Sequence, residues 1–376
     1  MKKYSVREPA PDSNLLSHLL FYRGIKTPAD AETFLNPDYE KHIHDPFLLK
    51  DMDKAVDRIL KAFRANDGAG EKTVIYSDYD TDGIPGGVIL HDFFKKAGHK
   101  NFTNYIPHRH DEGFGLNSDA VKKFIADGVK LLITIDCGIA DAAYVREARD
   151  GGIDVIITDH HLPPAEASEI PPAFAIINPK QAACEYPEKM LCGSGVVFKL
   201  VQGILKKDRL GIKDGQEKWL LDMVGIATLS DMVPLTGENR VLAYYGLTVL
   251  RKSPRLGIVR LLRELGVDQR YLTEDDIGFT IGPRINAASR MGVPMDAFNL
   301  LATEDPTEAA YFAKHLNEIN DERKGTVAAI VKEAKKTIEE RWGKNAGAPG
   351  DDKMPRVIVM GNPEWRPALA GLIANT

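Results

Sequence analysis

Three short runs of β-branched and aliphatic residues each end in acids or histidines: "TVIYSDYD" (73–80), "LLITIDCG" (131–138) and "DVIITDHH" (154–161). Continuous apolar runs of this length belong to strands buried on both faces. Helical patterns separate them, "GGVILHDFFKKAG" after the first, "SDAVKKFIADG" before the second and "DAAYVREARDGG" before the third. This alternation predicts an α/β fold, a parallel β-sheet flanked by helices. Ligands of such sheets collect beyond the carboxyl ends of the strands. That is the end at which all three runs carry their polar residues.

Outside this core the pattern is helical. The first fifty residues read as short helices, with Thr27 as an N-cap and Pro28 at the first helical position of "TPADAETFLNP". In "MDKAVDRILKAFRAN", Ala55, Ile59, Leu60 and Phe63 share one helical face. From Pro306 to Trp342 a long helix is predicted, with Val327, Val331, Ala334, Ile338 and Trp342 along one side. "GKNAGAPGDDKMP" (343–355) reads as a linker, "RVIVM" as a strand and "PALAGLIANT" as the start of a helix. The expected division is a helical lead-in (1–50), a main α/β domain (51–300), a connecting helix (301–342), and a linker with the first elements of a second α/β domain (343–376). A domain that stops two elements in reads as a piece of a longer protein.

An apolar content of 43% against 27% charged residues argues against long disorder. No apolar run approaches the ~20 residues that cross a bilayer, and the start lacks a signal-peptide core. Cys137, Cys184 and Cys192 form neither an even disulfide framework nor a zinc spacing, which fits reduced thiols in the cytoplasm. Lys+Arg minus Asp+Glu is 49 − 54 = −5, so net charge gives no push toward nucleic acid. A basic groove and an acidic metal site can still share one surface.

The polar residues at the strand ends are Asp78, Asp80, Asp82, Asp136, Asp159, His160 and His161, joined by Asp231 in "LSDMVPL". Taken singly, each aspartate reads equally well as a turn or N-cap residue, and adjacent histidines are commonly surface residues. Three successive strands ending this way weaken that reading. Carboxylates mixed with imidazoles suit Mn²⁺ or Mg²⁺, and the absence of thiolates argues against structural zinc. So many acids exceed the needs of one ion. Two ions, as in metal-dependent phosphodiester cleavage, account for the surplus.

"DYDTDG", "TIDCG", "TDHHLP" and "LSDMVPL" together resemble, in that order, the four signature motifs of the DHH phosphoesterase superfamily. The lead-in "LLFYRGIKTPADAETFLNP" with "DPFLLKDMDKAVDRI", together with "YIPHRHDEGFGLN" (105–117), "CGSGVVFKL" (192–200) and "GPRINAASRMG" (282–292), narrows the likeness to the RecJ-type single-strand-specific exonucleases. The resemblance implies metal ligands at Asp80, Asp82, Asp136, His160 and Asp231, with Asp78 and His161 close by. It leaves Asp159 as a partner that orients the histidines. His161 and Asp136 both remain candidates for proton transfer.

The same resemblance implies a 5′→3′ exonuclease that releases 5′-mononucleotides from single-stranded DNA in repair and recombination, with a single-strand-binding protein or a helicase as partner. His108, Arg109, Arg284, Asn286 and Arg290 are then expected on substrate, the last three in a loop entering a helix. Arginine matches phosphate oxygens bidentately. Phe94, Tyr105, Phe114 and Tyr186 are aromatic enough to stack on bases, although core packing is the commoner role. Ser77, Thr81 and Ser289 depart from the family's usual small residues, and "GIPGG" is an unusual continuation of the first motif. Arg366 and Ala368 stand where "W-H-P-G" is usual. The chain is expected to end before the Gly-Gly-His motif of the second domain. Two rival readings are a DHH phosphoesterase for oligoribonucleotides or cyclic dinucleotides, and a non-enzymatic DNA-binding scaffold.

Overall fold

A computed structural model of the chain describes residues 14–343, 355 and 357–375. Five parallel strands form one sheet: β1 Thr73–Ser77, β2 Phe102–Tyr105, β3 Leu131–Ile135, β4 Asp154–Thr158 and β5 Ala175–Ile177. Their order is β2-β1-β3-β4-β5. The chain leaves β1 outward to β2 and then returns past it to β3, so the order reverses between β1 and β3. That reversal opens a crevice beyond the carboxyl ends of these two strands.

Strands β1, β3 and β4 stop just short of the predicted acids. The two edge strands were not apparent in the sequence. β5 has three residues and β2 four, none of the latter fully buried, which is too short for a periodic signal.

Successive side chains face opposite sides of the sheet, and both sides are covered. Ile75, Ile133 and Ile156 face helices Met52–Arg64, Gly83–Lys96 and Gly193–Lys207. Val74, Tyr76, Leu132 and Val155 face helices Ser118–Ala126 and Ala142–Asp150. The Gly83–Lys96 helix lies unusually close to the sheet. A Cβ on Gly83 would stand 2.5 Å from the Asp78 carbonyl oxygen, and one on Gly86 would stand 2.6 Å from Ile135 Cγ2. "GIPGG" is therefore a packing requirement.

The helical lead-in shares this core. Thr27 caps helix Pro28–Leu35 as expected. A buried network then ties residue 44 to the main body. Lys199 Nζ donates to the His44 carbonyl at 2.6 Å and to Glu238 Oε1 at 3.0 Å, and the His44 amide donates to the same Glu238 oxygen at 3.1 Å. Tyr186 donates its hydroxyl to Glu238 Oε2 at 2.5 Å.

The long helix Pro306–Trp342 is present with the predicted bounds. Its predicted apolar stripe is half-buried at Val327, Val331, Ala334 and Ile338, while Ile330 beside it is buried. The expected linker lies outside the described residues except for Gly343 and Pro355, as does Arg356 of the "RVIVM" run. Residues 357–360 form no strand, and Val357 and Val359 are exposed. Among the described residues no neighbouring strand offers them a ladder. The last predicted helix appears as Ala370–Ala374.

Removing one partner of a buried charge pair strands the other. Glu238→Ala is expected to destabilise the fold by about 3–5 kcal/mol, read as a lower midpoint in denaturant unfolding.

Candidate metal centre

The crevice holds the acids. Asp78 and Asp80 follow β1, Asp136 follows β3, Asp159, His160 and His161 follow β4, and Asp231 caps the end of helix Leu221–Ser230. Three overlapping groups place one donor atom of each member within 4.8 Å of the others: Asp78, Asp80 and Asp136; Asp82, His160 and Asp231; Asp136, His160 and His161. The structure thus brings every sequence-predicted ligand into one cluster.

Within the cluster, His160 Nε2 lies 3.1 Å from Asp136 Oδ1 and 3.7 Å from Asp82 Oδ2, while its Nδ1 lies 3.8 Å from Asp231 Oδ2. Asp136 takes a left-handed backbone conformation, φ 60°, to aim its side chain here.

Two residues are held by dedicated donors. The amides of Gly193 and Ser194, at the start of helix Gly193–Lys207, donate to the two carboxylate oxygens of Asp82 at 2.6 and 2.7 Å. A helix N-terminus is a natural anion seat, and the carboxylate it holds lies 111 residues back in the chain. A Cβ on Gly193 would come within 2.7 Å of the Asp136 carboxylate, so only glycine fits there. Asp159 is fully buried and acts on its neighbours. Its Oδ1 accepts from the His160 amide, the His161 amide and His161 Nδ1 at 2.7, 3.0 and 2.8 Å, and its Oδ2 accepts from the Ile139 amide. With both oxygens taken, Asp159 orients His161 through Nδ1 and leaves Nε2 out of that bond.

The electrostatics is that of a site short of positive charge. Burial first, then the charge of Asp80, pushes Asp78 well above the usual carboxylate range. Burial followed by Asp82, Asp80 and Asp78 does the same to Asp136. Asp231 is pushed up to about 7 by burial and by Asp82 and Asp80. Burial lowers His160, whereas the Asp159 hydrogen bond raises His161. Asp159 goes the other way: burial works to raise it, but the His161 ring and the surrounding amides outweigh that.

Asp78 Oδ1 and Asp136 Oδ1 are buried and accept no hydrogen bond, although the His160 ring lies 3.1 Å from the latter. A carboxylate oxygen left so is costly unless a cation meets it. Oxygen donors with two imidazoles fit a hard or borderline divalent ion, and the groups centred on Asp78/Asp80 and on Asp82/Asp231 fit two.

The expected substrate residues separate. Arg109 lies over the Tyr79 ring, 4.9 Å from its centroid. Arg290 lies near enough for the Arg109 charge, after burial, to depress it. Arg284 does not join them. Its Nε donates to Asn317 Oδ1 and its Nη1 to the Thr280 carbonyl, so it fastens its helix to the long helix. Asn286 accepts from the Thr81 amide at 3.1 Å, and Thr81 Oγ1 donates to the Gly282 carbonyl, which braces the first-motif loop. His108 pairs with Asp111 at 2.7 Å.

"GPRINAASR" is helical from Gly282 and preceded by a π-helical turn at Ile277–Ile281, where a loop was expected. Phe94 and Tyr186 are fully buried in the core and cannot meet a base. Tyr105 is half-buried and donates to Glu112. Phe114 alone of the four is exposed. Sequence reasoning gave no role to Gly193, Ser194 or Asn178, whose side-chain amide donates to the His161 carbonyl. A glycine pair opening a helix, "CGSG", was the available signal.

The fold and the cluster define a phosphoesterase-like α/β metal centre of the DHH kind. A family model described as DHH family, N-terminal domain, matches residues 72–228. The single-stranded-DNA-specific exonuclease RecJ of Bacillus subtilis is 37% identical over 375 residues, an alignment that covers 100% of this chain and 44% of that protein. RecJ of Escherichia coli is 32% identical, covering 98% of this chain and 62% of its own length. A crystal structure of exonuclease RecJ bound to manganese superposes with a TM-score of 0.73 at 30% identity, covering 87% of this chain and 77% of that one. RecJ of Thermus thermophilus in complex with Mn²⁺ gives 0.76 at 27% identity, covering 96% and 48%. The chain belongs to the DHH family, in its RecJ branch. It spans roughly half, 44 to 62%, of the two curated relatives described.

Because the folded state holds these aspartates above their unfolded values, their protonated form supports the metal-free fold. That support is complete below pH ~4 and, for Asp231, is lost as pH rises through about 7. Metal-free Asp231→Asn is therefore expected to melt a few kelvin above wild type at pH 8, with the gap closing by pH ~4. Thermal unfolding in chelator at both pH values checks this.

Proposed function

We propose that this chain carries the catalytic centre of a divalent-metal-dependent exonuclease that degrades single-stranded DNA from its 5′ end to 5′-mononucleotides. The observation that carries the reading is the pair of buried oxygens on Asp78 and Asp136 that accept no hydrogen bond, inside a cluster of carboxylates and imidazoles at the switch point of the sheet. The relatives' names supply the substrate class. Asp78, Asp80, Asp82, Asp136, His160 and Asp231 would hold two ions, Mn²⁺ or Mg²⁺. When bound, such ions neutralise the phosphodiester and provide a nucleophile at neutral pH.

The rest falls to the chain's own groups. The Gly193 and Ser194 amides fix Asp82 in place without adding a side chain. Asp159 fixes the His161 ring through Nδ1 and raises its basicity. His161 thus holds a proton for the departing oxygen at Nε2. Asp136, walled in by acids, acts as a ligand. Arg109 and Arg290 draw together two positive charges that an anion between them would relieve, which suits a terminal 5′-phosphate. Repair and recombination in the cytoplasm, beside a single-strand-binding protein or a helicase, is the setting this activity fits. No helix of the described residues is long and apolar enough to cross a membrane.

Cleavage of 5′- and 3′-labelled single strands across a Mn²⁺ titration tests the reading, with di-adenosine substrates alongside. Mononucleotides appearing first from the 5′ label support it; preferential cleavage of the dinucleotide would replace it with the oligoribonucleotide reading. Asp136→Ala is expected to cut at least about a thousandfold more slowly, and Asp159→Asn about 10–100-fold more slowly. Arg109→Ala is expected to reduce the preference for a 5′-phosphate over a 5′-hydroxyl by about tenfold. Equal cleavage of both ends by wild type would remove that role.

A further inference from the structure

Around the acid cluster, large apolar side chains stand in solvent where polar ones would be expected. Leu162, directly after His161, is 81% exposed, and Met232, directly after Asp231, is 86% exposed. Phe114 is 54% exposed, with its ring centroid 5.8 Å from the His161 imidazole and 6.4 Å from the Tyr79 ring. The three sit on separate loops beside one cluster, since Asp231 and the adjacent histidines belong to it. Met232 also takes a left-handed backbone conformation, φ 56°, which a non-glycine residue rarely adopts. Strain of this kind persists where the surrounding structure over-determines it, commonly at ligand sites. Scattered exposed apolar residues need no explanation, but a group ringing a polar cleft does.

We propose that Phe114, Leu162 and Met232 form an apolar seat for the unpaired nucleobase of the nucleotide whose phosphate lies on the acid cluster. This rests on the nuclease reading. A phosphodiester held on the carboxylate cluster, with the terminal 5′-phosphate at Arg109 and Arg290, carries its own base within one nucleotide's reach of His161 and Asp231, and therefore of the side chains next to them. Every base has an apolar face, so the seat takes any base. It also discriminates by strandedness. A paired end keeps its base faces stacked on neighbours and must give that up to reach the rim, whereas a single strand has them free.

The test compares two 5′-phosphorylated single strands, identical except that the terminal two nucleotides of one lack bases. Affinity is measured on strands with a non-hydrolysable terminal linkage, and kcat/KM on normal ones. Wild type is expected to favour the complete strand by about tenfold. In the triple variant Phe114→Ala, Leu162→Ala, Met232→Ala the ratio is expected to fall to about twofold or less, with Mn²⁺ affinity and melting temperature unchanged because the three side chains are exposed. A wild type that binds both strands equally, or a variant that keeps the preference, overturns the seat. So does a variant that loses both strands alike, the result for a rim that packs against protein. A wild type that neither binds nor cuts any single strand overturns the nuclease reading itself, an outcome distinct from binding without preference.

Discussion

Mutual repulsion among buried carboxylates is the constraint that the rest of the structure serves. Asp78 and Asp136 are brought out of water to the ends of adjacent strands and Asp82 to the start of the Gly83–Lys96 helix, and two of their oxygens accept no hydrogen bond. Left alone, this costs stability. The surrounding elements hold the arrangement in place: the strand order that opens a crevice between β1 and β3, the glycines that let the Gly83–Lys96 helix approach, and the helix N-terminus that grips Asp82. Stability has been traded for a place where a cation is wanted.

The division of labour between the two adjacent histidines follows from their hydrogen bonds. His160 is buried among Asp82, Asp136 and Asp231, and burial lowers its basicity, so it offers a neutral ring to a cation. His161 is half out of the cluster and tied to Asp159, which raises its basicity, so its ring keeps a proton more readily. Neighbours in sequence thus receive opposite electrostatic instructions, because Asp159 spends its oxygens on one ring and on backbone amides.

Much of this was legible beforehand, and the failures are instructive. β1, β3 and β4 were readable because burial on both faces writes a continuous apolar run, and their terminal acids marked the site. β2 and β5 were not, since three or four edge residues leave no periodic trace. "RVIVM" has strand chemistry, but a strand is made by its neighbour's hydrogen bonds, and the described residues supply none. Arginine type alone could not separate Arg109, stacked on Tyr79 by the cluster, from Arg284, which holds two helices together. Aromatic type likewise could not separate exposed Phe114 from buried Phe94 and Tyr186. Direction of a side chain is a tertiary property.

The grip of Gly193 and Ser194 on Asp82 draws the site from two distant parts of the chain. Strands β1, β3 and β4 all precede residue 193, so the sheet can pair before the helix that fixes Asp82 has docked. Until it docks, one of the two donor groups lacks a properly held member. The acids alone therefore do not complete the site: the chain must also bring residue 193 back to Asp82.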